Sequence, residues 1–295
     1  ISLTALQSLS YNSKALLIGT ANNGLFSFNI TENKWQHYEH EPENINSLSD
    51  NGVNTIYEDT ADRIWIGTSQ GLNLYNPISQ NFTVFRSQQA DLIGLSDDFI
   101  QSITEDNSGM LWFGTWFSGL NILDPRTISF NTFKNDPVVP TSLTSNIVNA
   151  IHITPKGELW VGTNKGLNLK KKGQNDFIKF NDILNEGVNL SDNVIKSILV
   201  DSSSTLWVGT KNRGIYQWNE KRQGLIHYAS ENKGSKRLSH NSVQDILQRK
   251  NGEIWVSTRK GLNRWDPVNA SFKSFMHEPN NLESLGDNYL YQLYE

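Results

Sequence analysis

The feature that most constrains this chain is a five-residue motif that returns at nearly fixed spacing. Ile64-Trp65-Ile66-Gly67-Thr68, Leu111-Trp112-Phe113-Gly114-Thr115, Leu159-Trp160-Val161-Gly162-Thr163 and Leu206-Trp207-Val208-Gly209-Thr210 share it. Ile254-Trp255-Val256-Ser257-Thr258 carries Ser for Gly, and Leu16-Leu17-Ile18-Gly19-Thr20 carries Leu for Trp. Counted at the Gly or Ser, successive copies lie 48, 47, 48, 47 and 48 residues apart. Six copies at one period imply one supersecondary unit stacked repeatedly on itself.

The unit reads as four short strands. A run such as Val53-Asn54-Thr55-Ile56-Tyr57-Glu58-Asp59 precedes the motif and a turn separates them, often with Gly (Gly109, Gly157, Gly252). Gly71-Leu72-Asn73-Leu74 or its equivalent follows, then an alternating stretch such as Phe130-Asn131-Thr132-Phe133. These are strand-length runs between turn residues, with no helical periodicity over a helix-sized window. Four strands per repeat predict an all-β β-propeller of four-stranded antiparallel blades. A single propeller is expected over 1–295, with blades near 5–38, 53–85, 99–133, 147–180, 194–228 and 243–275. Ser284–Glu295 repeats the segment that opens a blade, so 285–294 is expected as the first strand of an incomplete further blade, and the polypeptide is expected to be longer.

The repeated residues have architectural work. Trp fills the space between blades, the Gly after it admits the neighbouring blade, and the Thr ends the strand with a local hydrogen bond. Gly24, Gly71, Gly119, Gly166, Gly214 and Gly261 are expected at positive φ in the next turn. Aromatic side chains at 11% of the chain suit sheets packed face to face.

Composition excludes several functions. The formal net charge of −4 gives no electrostatic case for nucleic acid. The absence of Cys removes disulfides, thiolate metal sites and thiol nucleophiles. No apolar run reaches the roughly 20 residues of a membrane helix, so no membrane contact is expected. His37 and His227 share one repeat slot, and His40 and His277 another; slots on different blades diverge, whereas metal ligands must converge. No metal or other cofactor is expected. No nucleophile elbow or phosphate-cradling loop is present.

The motifs together resemble a known family. Asn46-Ser47-Leu48-Ser49-Asp50-Asn51, the Glu58-Asp59 strand end, Leu-Trp-x-Gly-Thr and Gly-Leu-Asn are similar to the two-component regulator propeller repeat. Thr141-Ser142-Leu143-Thr144-Ser145-Asn146 and Arg237-Leu238-Ser239-His240-Asn241-Ser242 are further copies of the linker. The resemblance implies a periplasmic, non-enzymatic sensor module of an inner-membrane receptor with a histidine kinase or diguanylate cyclase output. It implies a small saccharide or anionic ligand, and a second propeller or receptor subunit, including a homodimer, as partner. The alternative reading is a propeller scaffold that mediates domain or subunit contacts while ligand binds elsewhere. The family's Gly-Gly pair before Leu is altered here: the first Gly is Asn23, Gln70, Ser118, Lys165, Arg213 or Lys260.

In propellers the loops between strands two and three crowd one face around the axis. Here they carry Trp116 and Phe117, then Lys165, Lys211, Arg213, Arg259 and Lys260. An indole can stack on a sugar face and a guanidinium can hold a carboxylate through two hydrogen bonds. The expected ligand site is Trp116, Phe117, Lys165, Arg213, Arg259 and Lys260. Lys170-Lys171-Lys172-Gly173 is expected as a solvated turn on the opposite face.

Overall fold

The computed structural model of the protein describes residues 6–11, 15–87, 94–183, 190–219, 224–232 and 237–295. Six four-stranded antiparallel sheets follow one another, each with its strands in chain order. Blade one is Leu6–Tyr11, Ala15–Thr20, Leu25–Asn29 and Lys34–Tyr38; blade two is Val53–Glu58, Ile64–Thr68, Gly71–Asn76 and Asn81–Phe85. Blade three is Ile100–Glu105, Leu111–Thr115, Leu120–Asp124 and Ser129–Phe133; blade four is Val148–Ile153, Leu159–Thr163, Gly166–Lys170 and Phe177–Lys179. Blade five is Ile195–Val200, Leu206–Thr210, Ile215–Asn219 and Gly224–Tyr228; blade six is Val243–Gln248, Ile254–Thr258, Gly261–Asp266 and Ser271–Phe275. In blades one to five each inner strand packs against the inner strand of the next blade. Among the described residues a single 3-10 turn, Phe180–Asp182, is the one helical element, and no helix is long and apolar enough to cross a membrane.

The core lies between blades. Trp65 of blade two clusters with Ile100, Ile103, Leu111 and Phe113 of blade three, and Trp207 of blade five with Val243, Ile246 and Val256 of blade six. The motif Gly makes this approach possible. A Cβ on Gly162 would sit 2.6 Å from Ile195 Cγ2 of the next blade, and one on Gly209 2.5 Å from Val243 Cγ1. Real carbon atoms do not come so close, so any larger residue would push the blades apart. The Asn of Gly-Leu-Asn ties the linker to the sheet: Asn73 Oδ1 accepts Ser49 N–H at 2.9 Å, while its Nδ2 donates to Ser49 Oγ and Ile66 O. Asn168 and Asn263 repeat the arrangement.

The 48/47 alternation has one cause. The loops between strands two and three hold three residues in blades one, three and five and two in blades two, four and six. The Gly ending the longer loop sits at φ 83° in blade three; the one ending the shorter loop sits at φ 107° in blade four.

Each inner strand also carries a one-residue bulge. The register slips between Leu6 and Ser8, Val53 and Thr55, Val148 and Ala150, Ile195 and Ser197, and Val243 and Asp245, with the matching slip opposite Gly114 and Thr115 in blade three. The bulged residues are Gln7, Asn54, Gln101, Asn149, Lys196 and Gln244. A bulge re-aims its side chain: Asn54 Nδ2 donates to Ile100 O of the next blade at 3.1 Å.

Two expectations need correction. Trp255 is only half-buried, unlike the other four motif Trp residues; among the described residues no four-stranded sheet packs on this flank of blade six. Leu285–Tyr294 opens as a blade should, Asn288 O accepting Gly261 N–H at 2.7 Å as Asn241 O accepts Gly214 N–H at 2.8 Å. It starts the further blade as expected, and among the described residues it pairs with no second strand. Lys170 is not part of a solvated turn: its ammonium lies 5.2 Å above Trp112 and 5.7 Å above Phe133 of the preceding blade, and burial pushes its pKa down. Among the described residues, the inner strands of blades one and six do not pack on each other as the successive pairs do.

Candidate functional site

The loops between strands two and three and the linkers between blades meet on one face. The structure sorts the loop residues into two slots. The first loop residue donates its backbone N–H toward the inner strand: Ser69 to Gly52, Trp116 to Phe99, Asn164 to Ile147, Lys211 to Val194, Arg259 to Ser242. The last loop residue lies on the outer side, where its carbonyl accepts from outer-strand side chains, as Asn23 O does from His37 and Arg213 O from His227.

The predicted residues divide accordingly. Trp116 and Arg259 hold inner slots, Lys165, Arg213 and Lys260 hold outer ones, and Phe117 lies between. Trp116 is half-buried against Phe99, ring centroids 5.0 Å apart, so part of its area serves packing. Phe117 is 64% exposed, its backbone N–H held by Asp97 Oδ2 at 2.8 Å. Arg213 lowers the pKa of the Tyr216 hydroxyl against the dominant effect of burial, which raises it. The Arg259 guanidinium stacks 5.5 Å above the Tyr289 ring. Lys165, Arg213, Arg259 and Lys260 are all exposed.

Two cations escaped the predicted set. Lys211 holds the inner slot of blade five beside the predicted outer-slot Arg213. Lys196 is the bulged residue of the same blade, where the other blades carry an amide. Burial pushes the Lys196 ammonium down, and Lys211 and Arg259 push it further. His240 is depressed in the same way, first by burial, then by Lys260 and Arg259. Among the described residues no carboxylate is within ion-pair distance of Lys196, Lys211 or Arg259. Aligning the bulge slot alone, Asn54, Gln101, Asn149, Lys196 and Gln244, would have singled out the lysine.

The histidines have architectural partners. His37 and His227 stack on Phe26 and Tyr216; His40 and His277 bond Leu48 O and Leu285 O; His152 Nε2 accepts Val200 N–H and His240 Nδ1 accepts Ser242 N–H. Among the described residues no three His, Asp or Glu side chains come together to hold a metal ion. Two clefts open away from the loop face. One of about 890 Å³ lies between blades five and six, lined among others by Trp265, Arg264, Glu253 and Gln217; one of about 250 Å³ lies between blades three and four beside Lys170. Neither is lined by a predicted site residue.

A family model described as two component regulator propeller matches residues 47–70, 94–117, 142–165, 189–212 and 237–260. These segments run from the linker through strand two into its loop, once in each of blades two to six. Five of the six blades carry the two-component regulator propeller repeat. A 63-residue stretch of this regulator propeller is 33% identical to histidine kinase P4 of Formosa agariphila, covering 21% of the chain and 5% of that protein. The fold is that of the extracellular domain of a putative hybrid two-component system from B. thetaiotaomicron, with a TM-score of 0.81 at 22% identity over the whole chain and 38% of that one. Virginiamycin B lyase from Staphylococcus aureus shares the architecture at a TM-score of 0.67 and 11% identity, covering 93% of this chain and 85% of the lyase. The regulator propeller thus spans well under half of the first two proteins.

Proposed function

We propose that this regulator propeller is the extracytoplasmic, non-catalytic sensing module of a membrane signalling receptor, and that it binds a small saccharide or anionic ligand on the face formed by the loops between strands two and three. The observation that carries the reading is the arc of Lys196, Lys211 and Arg259, which has no carboxylate partner among the described residues, on the face that also exposes Phe117. Blade packing requires none of these side chains, whereas each histidine is engaged in it. The kinase and the hybrid two-component system among the similar proteins support the signalling context, and an extracellular position is the one stated for the latter. Lys165, Arg213 and Lys260 form the outer rim of the site, and Trp116 with Phe117 its aromatic wall.

The test is a thermal-shift screen of neutral and acidic sugars, because a ligand that binds the folded state raises its melting temperature. The reading expects a shift that disappears in the double variant Lys211→Ser, Arg259→Ser, with the unliganded melting temperature unchanged. A shift that survives in this variant places the site elsewhere, with the cleft beside Trp265 next to be tested.

A second reading has its own support. On the flank of blade six, Ser257 replaces the Gly that elsewhere admits a following blade, and Trp255 stays half-buried. That flank fits a scaffold that contacts another propeller of the same receptor.

A further inference from the structure

The inner slot and the bulge slot of a blade form a pair on the loop face, because the bulged side chain turns toward the next blade beneath the loops. The pair is Asn54 with Ser69 in blade two, Gln101 with Trp116 in blade three and Asn149 with Asn164 in blade four. It is Lys196 with Lys211 in blade five and Gln244 with Arg259 in blade six. The chemistry is concentrated in blades four to six. Asn149 is only 8% exposed, and its Nδ2 has no hydrogen-bond partner among the described residues; neither does the buried Oδ1 of Asn164. In blade two the equivalent amide does have its partner, the carbonyl of the next inner strand.

A buried amide N–H without an acceptor is costly, because it has lost water and gained no partner. A half-buried ammonium facing two further cations, with no carboxylate to offset it, is also unfavourable. Both features lie on adjacent blades of one face. Acidic residues do occur on this face, in the linkers of blades two and three: Asp50 accepts from Gln70 Nε2 and Asp97 from Phe117 N–H. In blade six the same linker slot holds His240, and in blade five it holds Asp192, which makes no ion pair among the described residues.

We propose that the Lys196–Lys211–Arg259 arc, completed by Asn149 and Asn164 of blade four, is a subsite for a compact oxyanion group, a carboxylate or sulfate, carried on a polyhydroxylated small molecule. The three cations balance the charge of the group. Asn149 Nδ2 donates to one of its oxygens, and Asn164 Oδ1 accepts from a neighbouring hydroxyl. Tyr289, already stacked under Arg259, holds the guanidinium in place. The inference rests on the loop-face reading above and narrows it from saccharide or anion to an acidic polyol.

The experiment titrates the isotope-labelled protein with inorganic sulfate, galacturonate and galactose, following the side-chain amide signals of Asn149 and Asn164 and the indole signal of Trp116. Galacturonate is expected to move all three signals, and sulfate the two amides. Lys196→Gln, which installs the residue type the other blades carry at the bulge, is expected to weaken both anions about tenfold, as for the loss of one charge-assisted hydrogen bond. Lys156→Met, on the opposite face, is expected to leave them unchanged; should Lys196→Gln fail to fold, Lys211→Ser takes its place. Equal binding of galactose and galacturonate at Trp116, indifferent to Lys196→Gln, overturns the oxyanion subsite and leaves the loop-face reading standing. Binding of neither anion overturns the subsite. Anion-induced shifts confined to the cleft beside Arg264 overturn both.

Discussion

The Trp65 indole N–H donates to Asp59 Oδ2 at 2.8 Å, and the same bond recurs from Trp112 to Asp106 at 2.9 Å and from Trp207 to Asp201 at 2.8 Å. The other carboxylate oxygen closes the turn between strands one and two: Asp59 Oδ1 accepts from Ala61 and Arg63 N–H, Asp201 Oδ1 from Ser203 and Thr205 N–H. One side chain therefore fixes both the turn and the tryptophan that fills the gap to the next blade. Burial opposes the ionisation of Asp106, yet donors from Ser108, Trp112 and Met110 hold its carboxyl below the usual range.

This relationship sets the first prediction. Asp201→Ala leaves the buried Trp207 N–H and two turn N–H groups without their acceptor, and should cost roughly 1–3 kcal/mol in denaturant unfolding. Blade four carries Thr154 in this slot, where its hydroxyl accepts Glu158 N–H. Thr154→Asp should therefore stabilise by about 1 kcal/mol. A loss of stability in Thr154→Asp would mean that the carboxylate does not reach Trp160.

Two buried titrating groups oppose one another in the acid range. Burial pushes the His152 imidazole down to about 4, and its Nε2 accepts Val200 N–H. The unfolded chain takes up this proton near pH 6.5 and the folded one only near 4, so stability from His152 falls as pH drops through that window. Burial pushes the Asp245 carboxyl up to about 6, against donors from Leu293 and Ile246 N–H and the Ser197 hydroxyl. Here the folded chain takes up the proton first, so stability from Asp245 rises as pH drops from about 6 to 3.8. Each effect is at most about 3 kcal/mol. Asp245→Asn should expose the His152 slope, with melting temperature falling from pH 6.5 toward 4, and His152→Gln should expose the opposite one. Parallel slopes in the two variants would refute the pairing.

The motif glycines separate what the sequence displays from what it hides. Leu-Trp-x-Gly-Thr at constant spacing displays a close approach between repeats, and the structure finds it at Gly162 against Ile195. Gly162→Ala should cost about 1–3 kcal/mol by overpacking, while Ser257→Ala, which faces no complete blade, should stay within about 0.5 kcal/mol. Equal effects at both positions would show that the Gly serves the turn rather than the seam.

The proposed ligand face was less legible. Loop composition pointed to Arg259, but slot geometry decides which loop side chains look inward, and a two-residue loop differs from a three-residue one in ways that composition does not record. Lys196 lay hidden because a strand position normally alternates between two faces, and only the bulge turns this residue toward the next blade. The inner strand pattern Ile195-Lys196-Ser197-Ile198 reads as ordinary alternation until the register is known.

Lys170 is open to a direct test of the same kind. Its repeat slot is aromatic in four blades, Phe28, Tyr75, Trp218 and Trp265, and Leu123 in blade three. Where it is aromatic, the ring closes the seam: Tyr75 packs edge-on to Tyr38 at 5.5 Å and Trp265 to Trp207 at 5.1 Å. In blade four the ammonium instead covers Trp112 and Phe133 beside a cleft of about 250 Å³, and burial works against its charge. A cation over an aromatic face returns about 0.5–2 kcal/mol. An aromatic pair returns a similar increment, buries more apolar area and desolvates no charge. Lys170→Tyr should therefore raise the unfolding free energy by about 1 kcal/mol, a shift of roughly 2–4 °C in melting temperature. The loop face should be unaffected, so any ligand-induced thermal shift should persist in full. A lower melting temperature in Lys170→Tyr would show that the lysine seals this seam better than a ring can.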